Sequence, residues 1–144
     1  MPHSFNRIWI HSVWATKERQ LLISTSNKDK IYKFVREELV ALGCPVQIVN
    51  GMPDHIHVLF LLNPQKSVAE VIKYAKGSSS HSINDQNLTQ KKFSWQKGYA
   101  AYSVSESQVQ RVFNYIKNQE QHHLKNTCAG EFGALLKLHG IAEY

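Results

Sequence analysis

The 144-residue sequence predicts an α+β fold of the ferredoxin-like, split β-α-β kind: a four-stranded antiparallel sheet with helices on one face, plus a C-terminal helix. Three observations predict it. Apolar residues switch between a two-residue and a 3.6-residue period in the order β-α-β-β-α-β. Cap and turn residues punctuate most of the switches. The length suits a single domain over residues 1–144, whose core needs neither disulfide nor structural metal.

The first strand is the β-rich run Ile8-Trp9-Ile10-His11-Ser12-Val13-Trp14, followed by a charged turn with Lys17, Glu18 and Arg19. A helix starts near Ser26, whose hydroxyl suits a cap, with Asp29 in the first turn facing the positive dipole end. Ile31, Val35, Leu39 and Leu42 recur at helical spacing until Gly43 stops it. The second strand covers residues 45–49, and Asn50-Gly51-Met52-Pro53-Asp54 turns the chain into a third strand over residues 55–62. Ser67 caps a second helix carrying Val68, Val71, Ile72 and Ala75, with Gly77 and three serines as its end. Residues 82–92 read as a polar loop and residues 99–104 as the fourth strand. Ser105 with Gln108 is a capping-box signature for a helix over about residues 105–123, with Val109, Val112, Phe113 and Ile116 as its apolar stripe. Phe132, Leu135, Leu136 and Leu138 give a short helical tail.

Lysine and arginine number 17 against 11 acidic residues, a net charge of +6 that favours a polyanionic partner. Residues 63–105 hold six lysines against Glu70 and Asp85, so that stretch carries +4 of the total. Cys44 and Cys128 lack ligand or disulfide spacing, and the N-terminus lacks the pattern of a signal peptide. No apolar run is long enough for a bilayer, and the expected setting is a reducing cytoplasm without membrane attachment.

Two local patterns carry chemistry. Residues two apart in a strand share a face, so His55 and His57 can offer both imidazoles to one metal ion. Residues four apart on a helix share a surface, so Tyr115 and Gln119 point the same way. Two imidazoles, an amide oxygen and a phenol are the parts for metal-assisted attack of a tyrosine on a phosphodiester. Spacing alone leaves plainer readings open. Two histidines can simply sit near solvent at a strand's start, with Asp54 orienting one of them or only finishing the turn. A tyrosine at a helix border can simply pack its ring and wet its hydroxyl.

Taken together, several segments resemble the single-tyrosine HUH transposases, the TnpA-type enzymes of IS200-like insertion sequences and their repeat-associated tyrosine relatives. Val13-Trp14-Ala15-Thr16-Lys17-Glu18-Arg19 looks like that family's first strand and basic turn. Met52-Pro53-Asp54-His55-Ile56-His57-Val58-Leu59 looks like its HUH strand. Residues 73–80 are similar to its Lys-Gly-Ser-rich helix end, and Trp95-Gln96-Lys97-Gly98-Tyr99 with Tyr102-Ser103-Val104-Ser105 to the approach to its catalytic helix. Tyr115-Ile116-Lys117-Asn118-Gln119-Glu120-Gln121-His122-His123 matches that helix, while His11-Ser12 stands where hydrophobic residues are commoner.

The resemblance implies that Tyr115 is the nucleophile and that His55, His57 and Gln119 bind the metal. It implies cleavage and rejoining of single-stranded DNA at hairpin-marked ends through a 5′-phosphotyrosine. It also implies Mg²⁺ as cofactor, with Mn²⁺ substituting, and a homodimer whose active sites are shared in trans. His122 and His123 match the pattern without an assigned role. Lys17, Arg19, Lys73, Lys76, Lys91, Lys92 and Lys97 are candidates for DNA contact, which positions a strand rather than reading its sequence. The alternatives are a domesticated repeat-associated nicking enzyme, a non-catalytic ferredoxin-like nucleic-acid-binding module and a histidine-based metal carrier.

Overall fold

The computed structural model describes residues 4–120 and 128–141. Its elements are β1 (Trp9–Ala15), α1 (Lys28–Ala41), β2 (Val46–Met52), β3 (His55–Leu61), α2 (Val68–Asp85), β4 (Ala100–Val104), α3 (Val109–Lys117) and α4 (Cys128–Leu138). All strand pairs are antiparallel and the sheet order is β2-β3-β1-β4. This is the predicted split β-α-β sheet.

Alternation along the central strands divides the core in two. Ile10 and Trp14 of β1 and Ile56, Val58 and Phe60 of β3 pack against Ile31, Val35 and Leu39 of α1 and Val71, Ile72 and Ala75 of α2. The other face presents Trp9, Leu59 and Val104 to Val112, Tyr115 and Ile116 of α3 and to Leu135 of α4. His11, His55 and His57 lie on this second face, because each is an even number of residues from an apolar partner in its own strand.

Several boundaries differ from expectation for physical reasons. Asn27, not Ser26, precedes α1. Its Oδ1 accepts from the Ser24 N–H at 2.7 Å, and its Nδ2 donates to the carbonyls of Leu22 and Leu88 at 3.2 and 3.1 Å. Asn50, Gly51 and Met52 belong to β2, paired with His57, Ile56 and His55, so the turn into β3 shrinks to residues 53–54. Gly51 permits this, since a Cβ there would lie 2.2 Å from the His55 carbonyl oxygen. The second helix runs past Gly77 and the serines to Asp85. Buried Ile83 holds the extension to the core, and Ser79 accepts the Trp95 indole N–H at 3.0 Å. The Ser105–Gln108 capping box does not form; residues 106–108 make a 3-10 turn and α3 begins at Val109. Helical structure pauses at Asn118 and resumes at Gln119 and Glu120, while His122 and His123 lie outside the described residues.

Candidate active site

On the second sheet face, β3 presents His55 and His57, both buried. Asp54 holds the first: its Oδ1 accepts from His55 Nδ1 at 2.7 Å, and Arg19 Nε lies 3.6 Å from its Oδ2. His55 is the main cause that keeps the Asp54 carboxyl below its ordinary pKa, with Arg19 adding to it. Of the two roles open to Asp54, orienting the imidazole is therefore realised.

Tyr115 reaches the histidines because α3 is pinned across β2. Asn50 Nδ2 donates to the carbonyls of Ile116 and Lys117 at 2.9 and 3.3 Å, satisfying acceptors that the helix end leaves without an intrahelical partner. The Tyr115 ring meets the His57 ring edge-on at 5.8 Å between centroids. Gln119, one turn on, is fully buried, and its Nε2 donates to the Tyr115 carbonyl at 3.3 Å. His55, His57 and Tyr115 thus lie together on this sheet face, and Gln119 lies beside Tyr115. Tyr115 meets His57 of its own chain, where the resemblance implied histidines of a partner.

Residues that sequence reasoning did not select complete the site. Buried Glu131 on α4 accepts from the Tyr115 hydroxyl at 3.0 Å and lies 3.1 Å from His57 Nε2, through the same Oε1. Burial raises the Tyr115 pKa above the ordinary tyrosine range; the negative charge of Glu131 and its hydrogen bond raise it further, and Gln119 opposes them. His11 of β1 lies 3.0 Å from His57 Nδ1 through its Nε2 and 2.7 Å from His139 Nε2 through its Nδ1. A polar pair, His11-Ser12, inside an otherwise apolar strand was the one sequence signal for this feature.

The donors fit a divalent cation. Ligand atoms of His55, His57 and Glu131 all lie within 4.8 Å of one another. The buried Gln119 Oε1 makes no hydrogen bond among the described residues and so remains a candidate oxygen ligand. The mixture of imidazole, carboxylate and amide oxygen suits Mn²⁺ or Mg²⁺ better than a thiolate-seeking metal.

Beside His55 a cavity of about 360 Å³ opens between β1, β4 and α4, lined among others by Arg19, Lys97, Tyr99, Glu131 and Phe132. Two of the seven basic candidates, Arg19 and Lys97, therefore border the site. Lys17, Lys91 and Lys92 are exposed away from that lining, and Lys73 lies in the helix layer near Glu38 and His81. Lys76 is different. Its ammonium donates to the carbonyls of Gln96 and Gly98 at 2.7 and 2.9 Å, tethering the segment before β4, and burial lowers its pKa.

A family model described as IS200-like transposase matches residues 4–119. The ISDra2 transposase TnpA of Deinococcus radiodurans is 26% identical over 114 residues, covering 76% of this chain and 81% of that protein. A solved structure of a candidate transposase from the same organism is 26% identical, with a TM-score of 0.65 over 81% of this chain and 93% of that one. A REP-associated tyrosine transposase bound to a REP hairpin shares the fold at 14% identity, with a TM-score of 0.60 over 84% of this chain and 72% of that one.

Proposed function

The chain belongs to the IS200-like transposase family, and from that premise we propose that it cleaves and rejoins single-stranded DNA at hairpin-marked element ends through a 5′-phosphotyrosine on Tyr115. The observation that carries this reading is the convergence of the Tyr115 hydroxyl and His57 Nε2 on Glu131, with His55 beside them. In this reading a nucleophile, a ligand set and a proton acceptor share one buried spot.

A free phenol with a pKa of ~10 is a poor nucleophile at neutral pH, and its burial here makes ionisation harder still. Attack therefore needs the proton removed as the new bond forms. The Tyr115 oxygen bonds to phosphorus while Glu131 Oε1, 3.0 Å away, takes the phenolic proton. The bond from phosphorus to the 3′ oxygen breaks, and that oxygen takes a proton from water to leave a free 3′-hydroxyl. A divalent cation held by His55, His57 and Gln119, with Glu131 adjoining, would polarise the phosphate and offset charge on the departing oxygen. Mg²⁺ is the cellular ion in this reading, and Mn²⁺ replaces it. The phosphotyrosine conserves the bond energy, so rejoining to another 3′-hydroxyl needs no nucleotide triphosphate. Arg19 and Lys97, at the rim of the cavity, contact the strand's phosphates as it enters. The hairpin held by the relative of the same fold supports a hairpin as the recognised end.

A homodimer sharing its sites in trans is what the resemblance implied; the contacts of Tyr115 with its own chain support a site built in cis. Mixing Tyr115→Phe subunits with His57→Ala subunits separates the two. Activity returns in a mixed dimer with shared sites and stays absent when each chain builds its own. The class itself is tested by incubating the protein with labelled single-stranded DNA from the gene's flanks and Mg²⁺. A covalent adduct on a denaturing gel supports transposase chemistry; its absence with both flanks refutes it.

A further inference from the structure

A row of three imidazoles leads out of the site. His57 Nδ1 meets His11 Nε2 at 3.0 Å, and His11 Nδ1 meets His139 Nε2 at 2.7 Å. His11 is fully buried, and each contact uses a different ring nitrogen, so a neutral His11 serves both neighbours as donor to one and acceptor from the other. The outer ring is held from two sides. Gly140, at φ +69°, closes α4 with bonds from Gly140 N–H to the Lys137 carbonyl and from Ile141 N–H to the Leu136 carbonyl. The His139 ring also stacks on Tyr102, with centroids 4.2 Å apart and planes 4° from parallel. A histidine anchored in this way is part of the site's frame.

We propose that His11, backed by His139, is the positioning residue that sets the tautomer and ring orientation of His57, and so presents its Nε2 lone pair to the cation. This rests on the metal-dependent reading above. The atoms that can donate set the direction of each bond. Without a cation, an ionised Glu131 can only accept, so His57 donates from Nε2 and accepts at Nδ1 from His11, which accepts at its own Nδ1 from His139. A cation on Nε2 needs the opposite arrangement. The Nε2 proton then leaves to solvent and His57 Nδ1 takes the proton of His11 Nε2. His11 Nδ1 takes that of His139 Nε2, and His139 regains one at Nδ1 from water. Every ring stays neutral and no net proton is gained.

Two measurements test this. Long-range ¹H–¹⁵N spectra of the histidine-labelled protein report each ring's tautomer; on adding Mg²⁺, His57, His11 and His139 should move together from Nε2–H to Nδ1–H. Mn²⁺ titration followed by its electron resonance compares the wild type with His11→Leu, which fills the space without polar atoms, and with His11→Gln, whose amide oxygen can still accept from His57. His11→Leu should bind about 10–100-fold more weakly, the range for lost partners of a metal-bound histidine, while His11→Gln recovers most of the affinity. Equal Mn²⁺ affinity in His11→Leu and the wild type overturns the positioning role. Should the leucine variant fail to fold, tautomers of the wild type that do not change with Mg²⁺ overturn it. Failure of the wild type to bind Mn²⁺ refutes instead the metal reading on which it rests.

Discussion

Replacing Tyr115 by phenylalanine removes one oxygen from a ring that is only 8% exposed and packed in the cluster of Trp9, Leu59, Val112 and Ile116. The ring contacts survive, so no cavity forms. The loss is the hydroxyl's hydrogen bond to Glu131, of a kind worth about 1.5–3 kcal/mol when one partner is charged. Part of it is returned, since the variant no longer buries a hydroxyl and Glu131 Oε1 keeps His57 at 3.1 Å. The net cost should be about 1–2 kcal/mol, or a fall of roughly 2–8 °C in Tm for a domain of this size. Tyr115→Ala, which also empties the ring site, should cost about 3–5 kcal/mol. A double-mutant cycle with Glu131→Gln should return a coupling of about 0.5–3 kcal/mol, as contacting partners do. Thermal melts give the stability arm and the labelled-strand gel gives the chemical arm, where Tyr115→Phe should form no adduct. A phenylalanine variant that melts as low as the alanine variant would refute the account of the ring's packing. One that still forms adduct would refute the nucleophile.

His55→Ala and His57→Ala should each abolish cleavage and weaken Mn²⁺ binding by calorimetry, while Asp54→Asn, which still accepts from His55 Nδ1, should be milder; unchanged affinity in both alanine variants would leave only two buried structural histidines. Stability should fall with acidification. Burial, then Arg111 and His57, depresses the His139 pKa from 6.5 to about 4, so the unfolded chain takes up this proton first as pH drops. Its contribution is complete above the unfolded value and is lost between about pH 6.5 and 4. Urea midpoints across that range should slope less in His139→Gln, and equal slopes would refute the assignment. Gly51→Ala puts a Cβ 2.2 Å from the His55 carbonyl, so it should cost about 1–3 kcal/mol and weaken Mn²⁺ binding together with stability; a variant that melts like the wild type would show that the hairpin can shift freely.

What could be read from the sequence follows the range of the interactions. The alternation that assigns Ile56, Val58 and Phe60 to one core and His55 and His57 to the other is a two-residue pattern, visible in seven residues of chain. Tyr115 and Gln119 are related by one helical turn and were equally visible. Glu131, His139 and Asn50 were not, because their partners lie 74, 128 and 66 residues away, and no local period records such contacts. The second helix shows the same limit in its length. Glycine and serine at 77–80 have weak helix propensity, but Trp95, sixteen residues beyond Ser79, bonds to that serine and the helix continues.

The two-sided character of β3 also bears on how the protein can fail. A displacement of this strand by one residue against its neighbours would turn Ile56, Val58 and Phe60 away from α1 and α2 and drive His55 and His57 into that oily layer. Such a slip would destroy the main core and the site together, so a stable but mis-set molecule has no place to exist. Register slip should therefore supply no folded but inactive population. Among variants weakened in the α1–α2 core, cleavage should track the folded fraction alone, at constant turnover for each folded chain.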